Sequence, residues 1–241
     1  MNQPTEESFL RDVAKHEMTV IHDAGEIRHL RFGRPGDSNM HFNITTVPGY
    51  LMFTGDMGAW SFTRLRDMFE FFRWKADGPL GINRQYWSEK LIAASCNGRH
   101  DGSATEYSEE LFKSALWREA LSLARRMKDT GVSAEHRAEM LEELRFVRDA
   151  GCDGEHAAHQ AAHDFEYRAP VEDDVEGRGG VRYLHRLALR QQGCAWRLTD
   201  FYENNLRTYT YHFTWACYAI AWAIRVYDAS KVSAPAEAVP A

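Results

Sequence analysis

The sequence predicts an α+β fold, and three features predict it. The first third alternates short β-rich runs with turn residues. Near Leu65 the apolar spacing changes to the 3–4 repeat of a helix, and toward the end the stretch 209–227 is apolar on nearly every face. Antiparallel strands followed by amphipathic helices, closed by one all-round apolar helix, describe a sheet covered on one face by helices.

Taken in order, residues 18–23 and 26–32 flank Ala24-Gly25, a short hairpin turn. The loop 33–39 carries Pro35-Gly36. Residues 40–46 and 50–54 then flank Val47-Pro48-Gly49, in which Pro-Gly fits the centre of a type II turn. Gly55-Asp56-Met57-Gly58 turns the chain into 59–63, which completes five runs of an antiparallel meander. Leu65, Met68, Phe69 and Phe72 recur at i, i+3, i+4 and i+7 and predict a helix over 65–73. Ser108 is placed to cap a helix to about Lys128, with Gly131 as its stop. Ser133 caps another to Ala150, followed by Gly151. Asp153 is read as the cap of a third, reaching Tyr167. Residues 168–180 read as a loop, 181–192 and 197–204 as helices, and 229–241 as a disordered tail.

The expected organisation is a single domain over 1–228: a β-meander plus first helix at 18–75, a mostly helical region at 83–204, and a core helix at 205–228. Five of the seven tryptophans, Trp60, Trp74, Trp87, Trp215 and Trp222, fall where that core is expected.

The chain has 241 residues, is 44% hydrophobic, and carries a net charge of −6, a composition outside the disordered and transmembrane classes. Mild acidity argues against a general nucleic-acid binder, which needs a basic surface. The uncharged run 208–224 is 17 residues long, short of the roughly 20 that a membrane span needs. Cys96, Cys152, Cys194 and Cys217 form no CxxC pair, and no secretory signal is read before them. They are therefore expected to be free thiols in a reducing cytosol. Charge divides unevenly: residues 1–98 are near neutral, 99–176 strongly acidic and 177–241 basic.

Chemistry is sparse. The sequence holds no GxxxxGK[ST] loop, GxGxxG fingerprint, HExxH or GxSxG elbow, so no catalytic residue is assigned and no cofactor is expected. His156, His159 and His163 share one face of a helix, as metal ligands would. His136, then His163-Asp164, then Asp200 follow the H…HD…D order of metal phosphohydrolases. This makes a metal-dependent enzyme acting on a nucleotide or phosphoester the alternative to a non-enzyme. Arg178, Arg182, Arg186 and Arg190 repeat every four residues and would align as a basic ridge on a helix. Such a ridge suits phosphates, and so direct nucleic-acid contact, or an acidic protein surface. Glu172, Asp173, Asp174 and Glu176 form an acidic cluster beside it. An aromatic strip on the surface would also serve a homodimer.

Three stretches carry a family resemblance: Ile27-Arg28-His29-Leu30-Arg31-Phe32, Val47-Pro48-Gly49-Tyr50-Leu51 with Thr54-Gly55-Asp56-Met57-Gly58, and Phe62-Thr63-Arg64-Leu65-Arg66-Asp67-Met68-Phe69-Glu70-Phe71-Phe72-Arg73. Together with the C-terminal Trp215-Ala216-Cys217-Tyr218-Ala219-Ile220-Ala221-Trp222-Ala223-Ile224-Arg225, they are similar to a family of phage and prophage accessory proteins. The resemblance implies a setting in the cytoplasm of a bacterial host. It further implies an interaction protein that binds a host protein or ribonucleoprotein defence complex and inhibits it by occlusion, as anti-CRISPR proteins do. The acidic cluster and the arginine ridge are the expected contact surfaces.

Overall fold

The computed structural model describes residues 3–73, 78–95, 103–168 and 195–233. The fold is α+β, and the chain divides into two compact units. The sequence reading groups 1–228 as one domain. Residues 1–106 and 209–241 make one compact unit, and 107–208 make a second, inserted within the first in sequence.

The first unit is built on a six-stranded antiparallel sheet in the order β1-β2-β3-β4-β5-β6. Its strands are β1 (Glu17–Ala24), β2 (Ile27–Gly33), β3 (Phe42–Val47), β4 (Tyr50–Gly55), β5 (Gly58–Thr63) and β6 (Leu91–Ser95). The first five match the expected meander to within two residues at each end, whereas β6 is a sixth strand that the sequence reading lacks. Gly49 takes φ +88° in the Pro-Gly turn, as a type II turn demands. Register puts Leu30, Ile44, Phe53 and Trp60 in one cross-strand row, and Phe32 pairs with Phe42 in the next. These side chains are fully buried, which fixes the inner face.

The final helix packs on that face. It runs from Tyr211 to Ser233, with the hydroxyl of buried Thr210 accepting from the Phe213 N–H at 3.1 Å. Phe213, Trp215, Cys217, Ile220 and Ile224 are buried in the sheet's core, where Phe42 meets Phe32, Phe53 and Trp215 at ring distances of 4.9–5.8 Å. The helix extends six residues past Tyr227, so 229–233 are helical rather than part of a disordered tail. Lys231, bonded to Asp23 and lying over the Tyr227 ring, ties down that last turn.

Among the described residues, three short helices complete the unit: α1 (Glu6–Asp12), α2 (Met68–Phe72) and α3 (Arg84–Ser88). The sequence reading begins α2 at Leu65. The helix begins at Met68 because the Asp67 carboxylate accepts from the Phe69 N–H at 2.9 Å and its own backbone is extended, leaving Leu65 exposed outside the helix.

In the second unit, α4 (Glu109–Asp129) and α5 (Ala134–Ala150) start at Ser108 and Ser133 as expected, each serine capping its helix. The third helix, α6 (Glu155–Asp164), differs from the sequence reading. Asp153 lies in a 3-10 turn, and Gly154 enters the helix at φ +110°, a conformation that disfavours a side chain. Beyond it, β8 (Glu166–Arg168) pairs with β9 (Ala195–Arg197). The expected helix at 197–204 is this strand and one 3-10 turn, because Asp200 turns the backbone left-handed at φ +57°. Two short strands, β7 (Thr105–Tyr107) and β10 (Arg207–Tyr209), pair before the final helix, which is α7. Phe112, Leu116, Leu123, Met140, Leu144 and Phe201 are buried in the second unit's own core. No helix among the described residues is long and apolar enough to cross a membrane.

Candidate interaction surfaces

The expected contact surfaces, Arg178, Arg182, Arg186, Arg190, Glu172, Asp173, Asp174 and Glu176, lie outside the described residues, as does the expected helix at 181–192.

The histidine and aspartate candidates are described, and the structure does not gather them. His156 and His163 are exposed on α6, while His159 turns its ring edge-on toward Phe201 at 6.2 Å. His163 Nδ1 lies 3.0 Å from the neighbouring Asp164 carboxylate, and Asp200 is exposed on its turn. His136 Nδ1 sits 3.0 Å from Glu139 and 3.2 Å from the Tyr167 hydroxyl, which donates to Glu139 at 2.8 Å. Among the described residues no three His, Cys, Asp or Glu side chains are grouped to hold a metal ion. A phosphohydrolase centre requires converging ligands.

One charged constellation does assemble, on the inner face of the sheet. Alternation along β2 sends Arg28 inward with Leu30 and Phe32, in the row Asp23–Arg28–Thr46. Arg28 is 7% exposed. It donates twice to Asp67, both at 2.9 Å, and once to the Tyr227 hydroxyl at 3.4 Å, with its guanidinium 4.5 Å above the Phe69 ring. Tyr227 donates in turn to Asp23, which Lys231 also contacts. Burial raises the Asp67 carboxyl, but the bonds from Arg28 and the Phe69 N–H outweigh it and hold Asp67 below the usual range. Asp23 is lowered likewise: Lys231 and Tyr227 overcome its desolvation. Each charge here is matched by a partner within the fold, so this cluster is a clamp between α2, α7 and the sheet.

Among the exposed apolar groups of the described residues, two surfaces stand out as candidates. The first is the sheet's outer face. Its rows read Thr19–Arg31–Asn43–Thr54–Ala59–Ser95 and His22–His29–Thr45–Met52–Ser61–Ala93. At one end the polarity changes: Val47 pairs with Tyr50, and Ile27 follows on the same face one residue beyond the Arg28–Thr46 pair, with Ile27 46% and Tyr50 47% exposed. A sheet face with an apolar spot at one end and polar rows beside it has the anatomy of a protein interface. The alternation of strands contains this spot, because Ile27 and Tyr50 have the parity opposite to the buried Leu30 and Leu51.

The second surface is a groove of about 510 Å³ between α4 and α5 in the second unit. Leu116, Ala120, Leu141 and Leu144 line its apolar part, and Lys113, Glu142, Arg145 and Arg148 its charged edges. Trp117 stands at its margin, 60% exposed. The sequence reading holds no sign of this site, because Trp117 lies one position beyond the buried 112/115/116/120/123 stripe of a helix that is otherwise an ordinary amphipath.

In the same unit, Tyr107 donates to the Gly151 carbonyl at 3.0 Å, and burial together with Glu109 pushes its phenol up to about 12. Exposed Cys152 bonds to Glu109, which raises its thiol, while complete burial raises that of Cys217. Neither is activated as a nucleophile.

No family model, curated protein or solved structure matches the chain.

Proposed function

We infer that the protein is a phage-encoded, non-catalytic interaction protein that works inside the bacterial host by occluding a defence complex, an anti-CRISPR activity or one like it. The observation that carries this reading is the outer sheet face, where exposed Tyr50 and Ile27 sit beside polar rows on a rigid six-stranded scaffold. Occlusion needs a preorganised surface with an aromatic anchor and no catalytic constellation. Ile27, Val47 and Tyr50 also belong to the stretches that resemble the phage accessory family.

The test compares wild type with Tyr50→Glu, a substitution at an exposed strand end that spares the core. Wild-type protein is expected to co-purify with a CRISPR effector from a host lysate and to suppress its target cleavage. Tyr50→Glu should fold and lose both effects. Wild-type protein that leaves interference untouched, or a Tyr50→Glu variant that inhibits equally well, overturns the proposal.

A further inference from the structure

We propose that the α4–α5 groove of the second unit is a self-association surface, in which Trp117 of one copy enters the groove of a second copy and receives that copy's Trp117 in return. An isologous two-fold contact requires that one patch carry both knob and hole, since each contact is made twice. This patch does. Trp117 projects at the margin, and the groove beside it has apolar walls on which Ala138 is small and exposed, so a ring can enter there. A buried tryptophan removes about 150–250 Å² from water, so two reciprocal insertions form the core of an interface.

The dimensions suit a second copy. The 21 residues of α4 run about 31 Å and the 17 of α5 about 25 Å. A face about 25 Å long and two helices wide is on the order of 500 Å² in projection, in the range of a standard interface that buries about 800 Å² of accessible surface per partner.

The charges suit it as well. Lys113, Arg145 and Arg148 are each paired within the chain, to Glu109, Glu142 and Asp149, so the edge is balanced in sign. Exposed pairs of this kind contribute about 0–1 kcal/mol each and can exchange partners across a two-fold axis without stranding a charge. A strongly one-signed edge would repel its own copy; this one does not. The groove walls are helices whose backbone groups bond internally, so an extended strand would find no edge to pair with. A helical face is the natural occupant.

The proposal goes beyond the function inferred above and stands on a different surface. Sedimentation velocity of the full chain is expected to give twice the 27.7 kDa chain mass in the micromolar range. Trp117→Ala removes the knob and Ala138→Glu, at an exposed position on the groove wall, spoils the hole. Each should raise the dimer dissociation constant at least about 30-fold, the range of a hot-spot loss, with the circular dichroism unchanged. Tyr202→Ala, at an exposed position outside the groove, should leave it unaltered. Mixing the two groove variants is decisive for reciprocity. The mixed pair regains one intact insertion, Trp117 of the Ala138→Glu chain in the groove of the Trp117→Ala chain. It should therefore associate more tightly than either variant alone. A wild-type monomer at 100 µM overturns the proposal. So does a dimer indifferent to both substitutions, or a mixture no tighter than its components.

Discussion

Arg28 and Asp67 meet through two parallel hydrogen bonds of 2.9 Å, from a β-strand residue that faces the core to the capping residue of α2. One carboxylate thereby does two tasks: it anchors a buried guanidinium and, through the Phe69 N–H, starts the helix that covers the sheet. Removing Arg28 leaves Asp67 partly buried with only its cap bond. Arg28→Ala is therefore expected to cost about 3–5 kcal/mol, the range for breaking one side of a buried pair. Arg28→Met, which refills the space, combined with Asp67→Asn should cost much less. Urea denaturation of the two variants measures the difference, and equal losses for the single and double variants would refute the pairing argument.

The same pair sets an acid limit. Asp67 and Asp23 titrate below their ordinary 3.8 in the folded chain. A depressed carboxyl contributes stability that is complete above the unfolded value and is lost as pH falls through the folded one. Melting temperature should thus be flat from pH 7 to about 5 and fall steeply below about 4. Asp67→Asn should start lower and fall less over that acid range; a parallel fall would show that other carboxylates dominate.

The sheet was legible because strands with one buried face leave a period-two pattern, and Pro48-Gly49 and Ala24-Gly25 mark their turns. The caps Ser108 and Ser133 were equally legible, since one hydroxyl at the right spacing performs the whole task. The strand end and 3-10 turn that replace the expected helix at 197–204 were not: a 3-10 turn entered by a left-handed Asp200 uses the same residues as a short helix. Strand β6 carries Ile92, Ala93 and Ser95 exposed, so it shows no alternation to read. Arg28 was visible in principle, because it shares the parity of Leu30 and Phe32, and an inward arginine demands a carboxylate. Which carboxylate depends on the tertiary fold, as Asp67 lies 39 residues away. The groove at Trp117 depends on how two helices pack, which neither helix shows alone.

Gly55 and Gly25 separate two reasons for glycine. At Gly55 a Cβ would come within 2.8 Å of the Phe42 Cα, so the obstacle is backbone. Gly25 has open space around it and φ +62°. Gly55→Ala is expected to destabilise by about 1–3 kcal/mol by overpacking, whereas Gly25→Asn should cost only a few tenths, because Asn tolerates the left-handed region. Thermal denaturation of both variants decides it.

The serine caps of the second unit offer a cleaner measurement. Ser108 and Ser133 hydroxyls accept from the Leu111 and His136 N–H groups at 3.3 and 3.2 Å. Each Ser→Ala change should remove about 1 kcal/mol. Ser→Asp at either site should hold or slightly raise stability, since the carboxylate keeps the bond and faces the positive end of the helix. Hydrogen exchange along α4 and α5 localises the loss; protection lost equally in the six-stranded sheet would contradict it.

The histidines of α6 test the competing enzyme reading. A zinc centre built on His156, His159 and His163 would draw three imidazoles to one point, with further hydrogen bonds to orient them. Instead His159 leans on Phe201, His163 is held by its neighbour Asp164, and His136 is engaged with Glu139 and Tyr167. Assembling a site from these groups would require dismantling contacts in the second unit's packing. Zn²⁺, Mn²⁺ or a chelator is therefore expected to leave the melting temperature unchanged, and His163→Ala should fall within about 0.5 kcal/mol of wild type, as an exposed substitution does. A resident metal would behave otherwise, because a ligand bound at 100 times its dissociation constant stabilises the fold by about 2.7 kcal/mol. A chelator-sensitive melt, with stoichiometric metal and phosphoester hydrolysis that His136→Ala and His163→Ala abolish, would replace the interaction protein with an enzyme.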